Sequence, residues 1–365
     1  MSRSDHRDFS RRRFLRTLGA LAGTAAAAPV LAGESVLAPP FRGDLRVGVA
    51  VPAFGADASR AEAWLAGLRL ALGDAAVITT EPAGPYSAQV AAAAGRLLQC
   101  GAQVIVGAVA PTRAREVATM FARSDGVFLN AEPGAQIVRT ADGHAKVFHH
   151  SLHAWQASYA TGVWAATAVG RRAATVASFR ESGYDTLTAF QLGLESAGGE
   201  VVSQQVSGIP GRQRSDAECI DAARCVASDF VYTAGLAADG AISAPLSRAQ
   251  GLPDAAFAAH YAQATGRVAD AYALLGYEAG GLLLDAAQQA REQGWSLAHG
   301  LAGASVQGPR GLVRMNPVTR TSTAEAFVDA AGARLAQLRT FDERPVLAHP
   351  AWRQALSGWI VPYAA

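Results

Sequence analysis

The sequence predicts an α/β protein made of two successive doubly wound lobes, each with a parallel sheet, joined by a hinge. Three observations carry this. Short apolar runs alternate with stretches of helical period from residue 45 onward, the pattern of βαβ units. The alternation restarts after Val147-Phe148. A long helical stretch, about 270 to 293, follows the second half and is placed to return to the first. The length of 365 residues, half of them hydrophobic, suits two domains with sizeable cores.

In the first half, strands are expected at 45–51, 77–80, 103–106 and 126–129. Apolar residues at 61, 64, 65, 68, 71 and 72 mark the first helix. Val90, Ala93, Ala94, Leu97 and Leu98 mark the second, and Val117, Met120 and Phe121 a third. In the second half a helix from about Ala154 to Val169 precedes strand 174–178, and a helix ending at Gly198-Gly199 precedes strand 200–206. Ser215 and Glu218 form a capping box that starts a helix over 216–226, leading to strand 230–232. Pro253 opens a helix to Thr265, and strands 311–315 and 334–338 close the chain. Lobe 1 is expected to comprise 44–150 plus 270–332, and lobe 2 151–269 plus 333–365. Crossings are expected near 149–153, 266–272 and 330–336. Strand C-terminal ends then face each other across a cleft, where ligands bind in such Rossmann-like sheets.

The N-terminus reads as an address. Ser10 to Arg16, S-R-R-R-F-L-R, resembles a twin-arginine export signal, with Arg11 and Arg12 as the pair. An uncharged Ala/Leu/Gly stretch follows, too short to span a bilayer, and Val30-Leu31-Ala32 gives a cleavage end after Ala32. Residues 1–32 hold six Arg and two acidic residues, so removing them leaves 26 basic and 28 acidic side chains from totals of 32 and 30. The basic pI of the whole chain is thus largely a leader effect. With Lys146 the only lysine, a nucleic acid or anionic membrane partner is not expected. Cys219 and Cys225 fall on one helix at a separation a disulfide does not accept, and are expected reduced, with Cys100 a buried small hydrophobe.

Several segments, in order, resemble the type I periplasmic solute-binding proteins of ABC transporters, the branched-chain amino acid and amide group. They are L-R-V-G-V-A-V-P-A-F-G at the first strand and glycine loop, V-I-V-G-A-V-A-P-T, F-L-N-A-E-P-G-A and the crossing V-F-H-H-S-L-H-A-W-Q-A. The tyrosine turn and helix S-G-Y-D-T-L-T-A-F-Q-L-G, the strand S-D-F-V-Y-T-A-G and the returning helix L-L-G-Y-E-A-G-G-L-L-L-D-A-A complete the series. The resemblance implies a type I periplasmic binding protein fold, a periplasmic location, a small polar ligand (amino acid, amide or organic acid), ABC permease subunits as partners and the twin-arginine translocase during export. It implies no enzyme activity, no metal and no cofactor. The chain departs from the pattern after Gly251-Leu252, where a further strand, helix and strand are missing, so a reduced second lobe is expected.

The candidate ligand-binding residues are Arg60, Ala110, Thr112, Ala131, Glu132, Tyr184 and Thr233. Ala110, Pro111 and Thr112 begin a helix whose free N–H groups suit a carboxylate, although Pro111 has no N–H to give; Thr112 is otherwise a plain cap. Ala131 and Glu132 lie in the loop the resemblance brings to the ligand, where Glu132 receives an ammonium or stands as a solvated carboxylate. Arg60 suits an anionic group or sits on the surface at a helix start. Tyr184 offers a flat face and a hydroxyl, and Thr233 ends its strand; both match cleft positions of that family, or are ordinary loop residues. His149, His150 and His153 read as a polar crossover, since no Cys or carboxylate stands at ligand spacing beside them. No nucleophile elbow, P-loop or dinucleotide fingerprint occurs. A sensory or accessory receptor of the same fold, or a secreted α/β enzyme, remain as alternatives.

Overall fold

The computed structural model describes residues 40–52, 58–121, 124–138, 144–212, 214–236, 241–243, 255–324, 326–330 and 333–338. The export signal, its cleavage point, Gly55, Pro253 and residues 339–365 expected in lobe 2 lie outside the described residues.

The first lobe runs β1 (Leu45–Val51), α1 (Ala58–Leu72), β2 (Ala76–Pro82), α2 (Ser87–Gln99), β3 (Val104–Gly107), the short α3 (Ala114–Ala118), β4 (Val127–Glu132) and β5 (Val147–Ser151). Its five strands pair in the order β2-β1-β3-β4-β5, all parallel. Parallel strands buried on both faces read as continuous apolar runs, which is why β1, β3 and β4 were legible. Val47, Val49, Val104, Val106, Val127 and Leu129 point to one core, and Ala50, Ile105, Phe128 and Val147 to the other. β5, read only as a turning point, is the fifth strand.

The second lobe runs α4 (Ala154–Ala168), β6 (Arg172–Ser178), α5 (Thr186–Ser196), β7 (Glu200–Ser207), α6 (Asp216–Arg224), β8 (Phe230–Ala234) and β9 (Ile242–Ser243). Its sheet, ordered β7-β6-β8-β9, is also parallel and ends in a two-residue strand. The Ser215–Glu218 capping box forms as expected.

The chain continues through α7 (Ala255–Thr265), α8 (Ala271–Gln293), α9 (Leu297–Gly303), the antiparallel strands β10 (Ser305–Gly308), β11 (Gly311–Met315) and β12 (Ser322–Thr323), and the hairpin β13 (Ala326–Ala330) and β14 (Ala333–Leu338). α8 packs along α1, where a Cβ on Gly276 would collide with the Trp64 carbonyl and one on Gly67 with the Ala273 carbonyl. Gly162 and Gly193 meet across α4 and α5 in the same way.

Three expectations are corrected. α7 packs on the first core rather than in lobe 2: Phe257 and Tyr261, one turn apart, bury their rings there, and Arg267 pairs with Glu62 of α1 at 2.6 Å. The second crossing therefore precedes residue 255 instead of lying at 266–272. The third falls between β12 and β13, before 330–336, since β13 already runs against α4. Cys100 is exposed, not buried, because it caps α2 at its C-terminal end.

Candidate functional site

The parallel topology sets the C-terminal ends of β1, β3 and β4 on one edge of lobe 1, and those of β6 and β8 on one edge of lobe 2. The loop after β3 is held by Asn130 of β4. Its Oδ1 accepts the Val109 N–H at 2.8 Å and its Nδ2 donates to the Val109 carbonyl at 3.0 Å. That positions Ala110 and Thr112. Ala110 is fully buried and offers only main chain, its carbonyl accepting the Arg113 N–H. Thr112 is half-buried on a single 3-10 turn, Pro111–Arg113, followed by only five helical residues. The helix whose N-terminus was expected to gather a carboxylate is thus little more than one turn.

Glu132 ends β4 and is buried, not a solvated loop carboxylate. Its Oε2 accepts the Gly134 N–H at 2.8 Å. Burial, opposed by that bond and reinforced by the nearby negative charge of Asp185, pushes its carboxyl up to about 8. Ala131 turns its methyl into the core and contributes main chain alone.

The loop after Glu132 crosses to lobe 2. The Asp185 N–H donates to the Ala135 carbonyl at 3.0 Å, and Asp185 Oδ2 accepts the Ile137 N–H at 2.8 Å. Ile137 packs with Trp155, Ala189 and Leu192, while Tyr184 packs with Ala135 and Ala154. Two main-chain donors, an apolar plug and a tyrosine ring thus hold the lobes together at this edge.

Arg60, in the first turn of α1, packs against the start of α8. Its guanidinium lies over the Tyr272 ring, 5.6 Å from the centroid. The Tyr272 hydroxyl is pushed up, chiefly by burial, within the field of Arg60, Asp270, Tyr184 and Glu181. Asp270 accepts the Ala273 N–H at 2.8 Å as the cap of α8, and burial raises its carboxyl despite that bond. The Tyr272 ring thus lies under Arg60 of α1, and its hydroxyl feels the field of Tyr184 from lobe 2. Thr233 is buried, but its hydroxyl donates to the Leu236 carbonyl at 3.1 Å and so shapes the loop after β8.

Residues missing from the sequence reading are Tyr272, Asp270, Glu181 and Asp185. Asp270 three residues before Ala273 is a readable helix cap, and it would have placed Tyr272 in the first turn beside the cleft. Glu181 and Asp185 flank Tyr184 and carry no pattern of their own.

Neither a known family profile nor a curated protein matches the sequence. Solved structures do match. An ABC transporter substrate-binding protein from Sphaerobacter thermophilus superposes with a TM-score of 0.63 at 18% identity, covering 81% of this chain and 96% of that one. A leucine-, isoleucine-, valine-, threonine- and alanine-binding protein from Brucella ovis, in its closed conformation, gives 0.63 at 16% identity over 82% and 93%. A solute-binding protein from R. palustris in complex with benzoate gives 0.60 at 19% identity over 81% and 96%. The fold is that of the type I periplasmic binding proteins, as the segment order implied.

Proposed function

We propose that this chain is the substrate-binding component of an ABC importer, exported by the twin-arginine route and cleaved after Ala32. In this reading it is not an enzyme. It holds a small polar solute in the interlobe cleft of the periplasmic protein and presents it to permease subunits in the inner membrane. Arg60, Thr112, Glu132, Tyr184 and Thr233, with the main chain at Ala110 and Ala131, form the proposed site.

The observation that carries this reading is the junction of the β4 loop with the Tyr184–Asp185 turn. It joins the two lobes by hydrogen bonds beside the buried Glu132 carboxyl, which accepts the Gly134 N–H and feels the negative charge of Asp185. A ligand ammonium would compensate that carboxyl, and an amino acid is therefore favoured over a simple anion. The Brucella ovis neighbour is a leucine-, isoleucine-, valine-, threonine- and alanine-binding protein and the R. palustris one is in complex with benzoate, so both ligand classes belong in the test. A thermal-shift screen of amino acids, amides, urea and aromatic acids, followed by calorimetry, should give a melting temperature that rises with concentration of one class. Turnover of an amide or ester without stable binding would overturn the reading.

A further inference from the structure

The hinge contains a buried chain of polar groups that the ligand cleft does not use. Glu278 on α8 and Arg310, in the turn between β10 and β11, are both buried. Arg310 Nε donates to Glu278 Oε1 at 3.0 Å and its Nη2 to Oε2 at 2.5 Å. The same Nη2 reaches the Ser151 carbonyl at 3.1 Å, and Nη1 reaches His153 Nδ1 at 3.3 Å. Arginine only donates, so His153 Nδ1 accepts and the proton sits on Nε2. Nε2 then donates to the Ser322 carbonyl at 2.8 Å. His150 completes the cluster, with Nδ1 at 3.1 Å from Ser322 Oγ and Nε2 at 3.5 Å from Glu278 Oε2.

His150, Ser151 and His153 sit on the first crossing and Ser322 at the foot of the third, with Glu278 and Arg310 packed against them. His153 also immediately precedes α4, the first helix of lobe 2, and stands in the left-handed region at φ 60°, ψ 38°. That conformation is disfavoured for a non-glycine residue, so side-chain bonds must hold it. Beside it, the Gly134 carbonyl accepts the Trp155 N–H at 2.9 Å, which ties the start of α4 to the loop that carries Glu132.

We infer that Glu278, Arg310, His153 and Ser322 form a clasp fixing the pivot between the lobes, and that protonation of His153 releases it. A proton on Nδ1 removes the acceptor for Arg310 and places two cations against each other. Among the described residues, the charged and titratable groups around His153 are Arg310 from the β10–β11 turn and His150 from β5, with Glu278 of α8 behind both. Glu278 is already engaged by Arg310 and does not compensate a second cation. Burial first, and Arg310 second, pull His153 from 6.5 down to about 3 while the clasp is closed. A released, solvated imidazole titrates near 6.5. Linkage then favours the released form by about a hundredfold at pH 4.5 relative to neutral pH.

The native thiols supply the test. Cys100 in lobe 1 and Cys225 in lobe 2 are exposed, whereas Cys219 is buried. Spin labels on Cys100 and Cys225 of the ligand-free protein report the interlobe distance. The wild type should show one narrow distance at pH 7.5 and a broadened, shifted distribution at pH 4.5, with its helical circular dichroism intact. His153→Gln keeps an acceptor and a donor without a proton to gain, and should hold the narrow distribution at both values. Glu278→Gln should broaden it even at pH 7.5. The clasp is overturned if the wild-type distance is the same at both pH values, if His153→Gln follows the wild type, or if helix signal is lost in step with the distance change.

Discussion

Glu132 shows how one side chain can serve binding against stability. Its carboxyl is buried with one main-chain donor and a second carboxyl, Asp185, nearby. In the proposed site its charge is wanted only when ligand is present. Glu132→Gln should therefore weaken binding of a verified ammonium-bearing ligand by about 2 kcal/mol or more, the scale of a charged hydrogen bond. Thr112→Ala should cost about 1 kcal/mol, one neutral bond. Calorimetric titration of both variants checks this; equal affinity for wild type and Glu132→Gln would remove the carboxyl from the site. The sequence placed Glu132 in the loop after the fourth strand, whereas the strand runs on to include it, and left its burial open. A loop carboxylate and a buried one look alike in sequence; the difference comes from burial, with Asp185, about fifty positions away, adding to it. Tyr184 was legible from its turn. Tyr272 was not, because an aromatic residue in a helical stripe reads as core until the neighbouring lobe is in place.

The elements were more legible than the contacts between them. β1, β11 and the capped α6 appear where apolar runs and caps place them. α7 shows where that reading stops: its Phe257–Tyr261 stripe announces a buried face but not which core buries it. The α1–α8 crossing gives a sharp test. Alanine is ordinarily better than glycine within a helix by about 1 kcal/mol. At Gly276 the sign should reverse, because the added methyl meets the Trp64 main chain and cannot be relieved by a rotamer change. Gly276→Ala should destabilise by about 1–3 kcal/mol, the range for overpacking, read as a lower urea midpoint with unchanged slope. A midpoint at or above the wild-type value would mean the helices lie further apart. The histidines of the first crossing carry the same lesson. Read as a polar crossover, they are buried, and the Arg310 and Glu278 that His153 and His150 meet come from more than a hundred residues downstream.

At the scale of the whole molecule, export and acid–base balance are both testable. The twin-arginine reading predicts that replacing Arg11 and Arg12 together by Lys leaves precursor in the cytoplasm; normal appearance of the mature chain outside the inner membrane would refute it. The acid–base prediction follows from groups buried without compensating charge. His149, lowered by burial from 6.5 to about 4, and His153, lowered to about 3, stay neutral in the fold, and His150 is lowered too. An unfolded chain takes up these protons near pH 6.5, so the stability they contribute is present above 6.5 and is lost as pH falls toward 4. Glu132 has the opposite sign. Its folded carboxyl, raised from 4.5 to about 8, keeps a proton that the unfolded chain gives up, so its contribution is present below 4.5 and is lost as pH rises to 8. Three histidines outweigh one carboxyl below 6.5, and the carboxyl alone acts above it. Stability should therefore peak near pH 6.5 and fall by about 2 kcal/mol between 6.5 and 8, the linkage limit of about 1.4 kcal/mol per pH unit for one proton. Glu132→Gln should flatten the alkaline limb and steepen the acid limb, because the carboxyl no longer opposes the histidines between pH 4.5 and 6.5. Urea denaturation of ligand-free protein from pH 4.5 to 8.5 measures both limbs. If wild type and Glu132→Gln decline in parallel above 6.5, some other group sets the alkaline slope and Glu132 ionises freely in the fold.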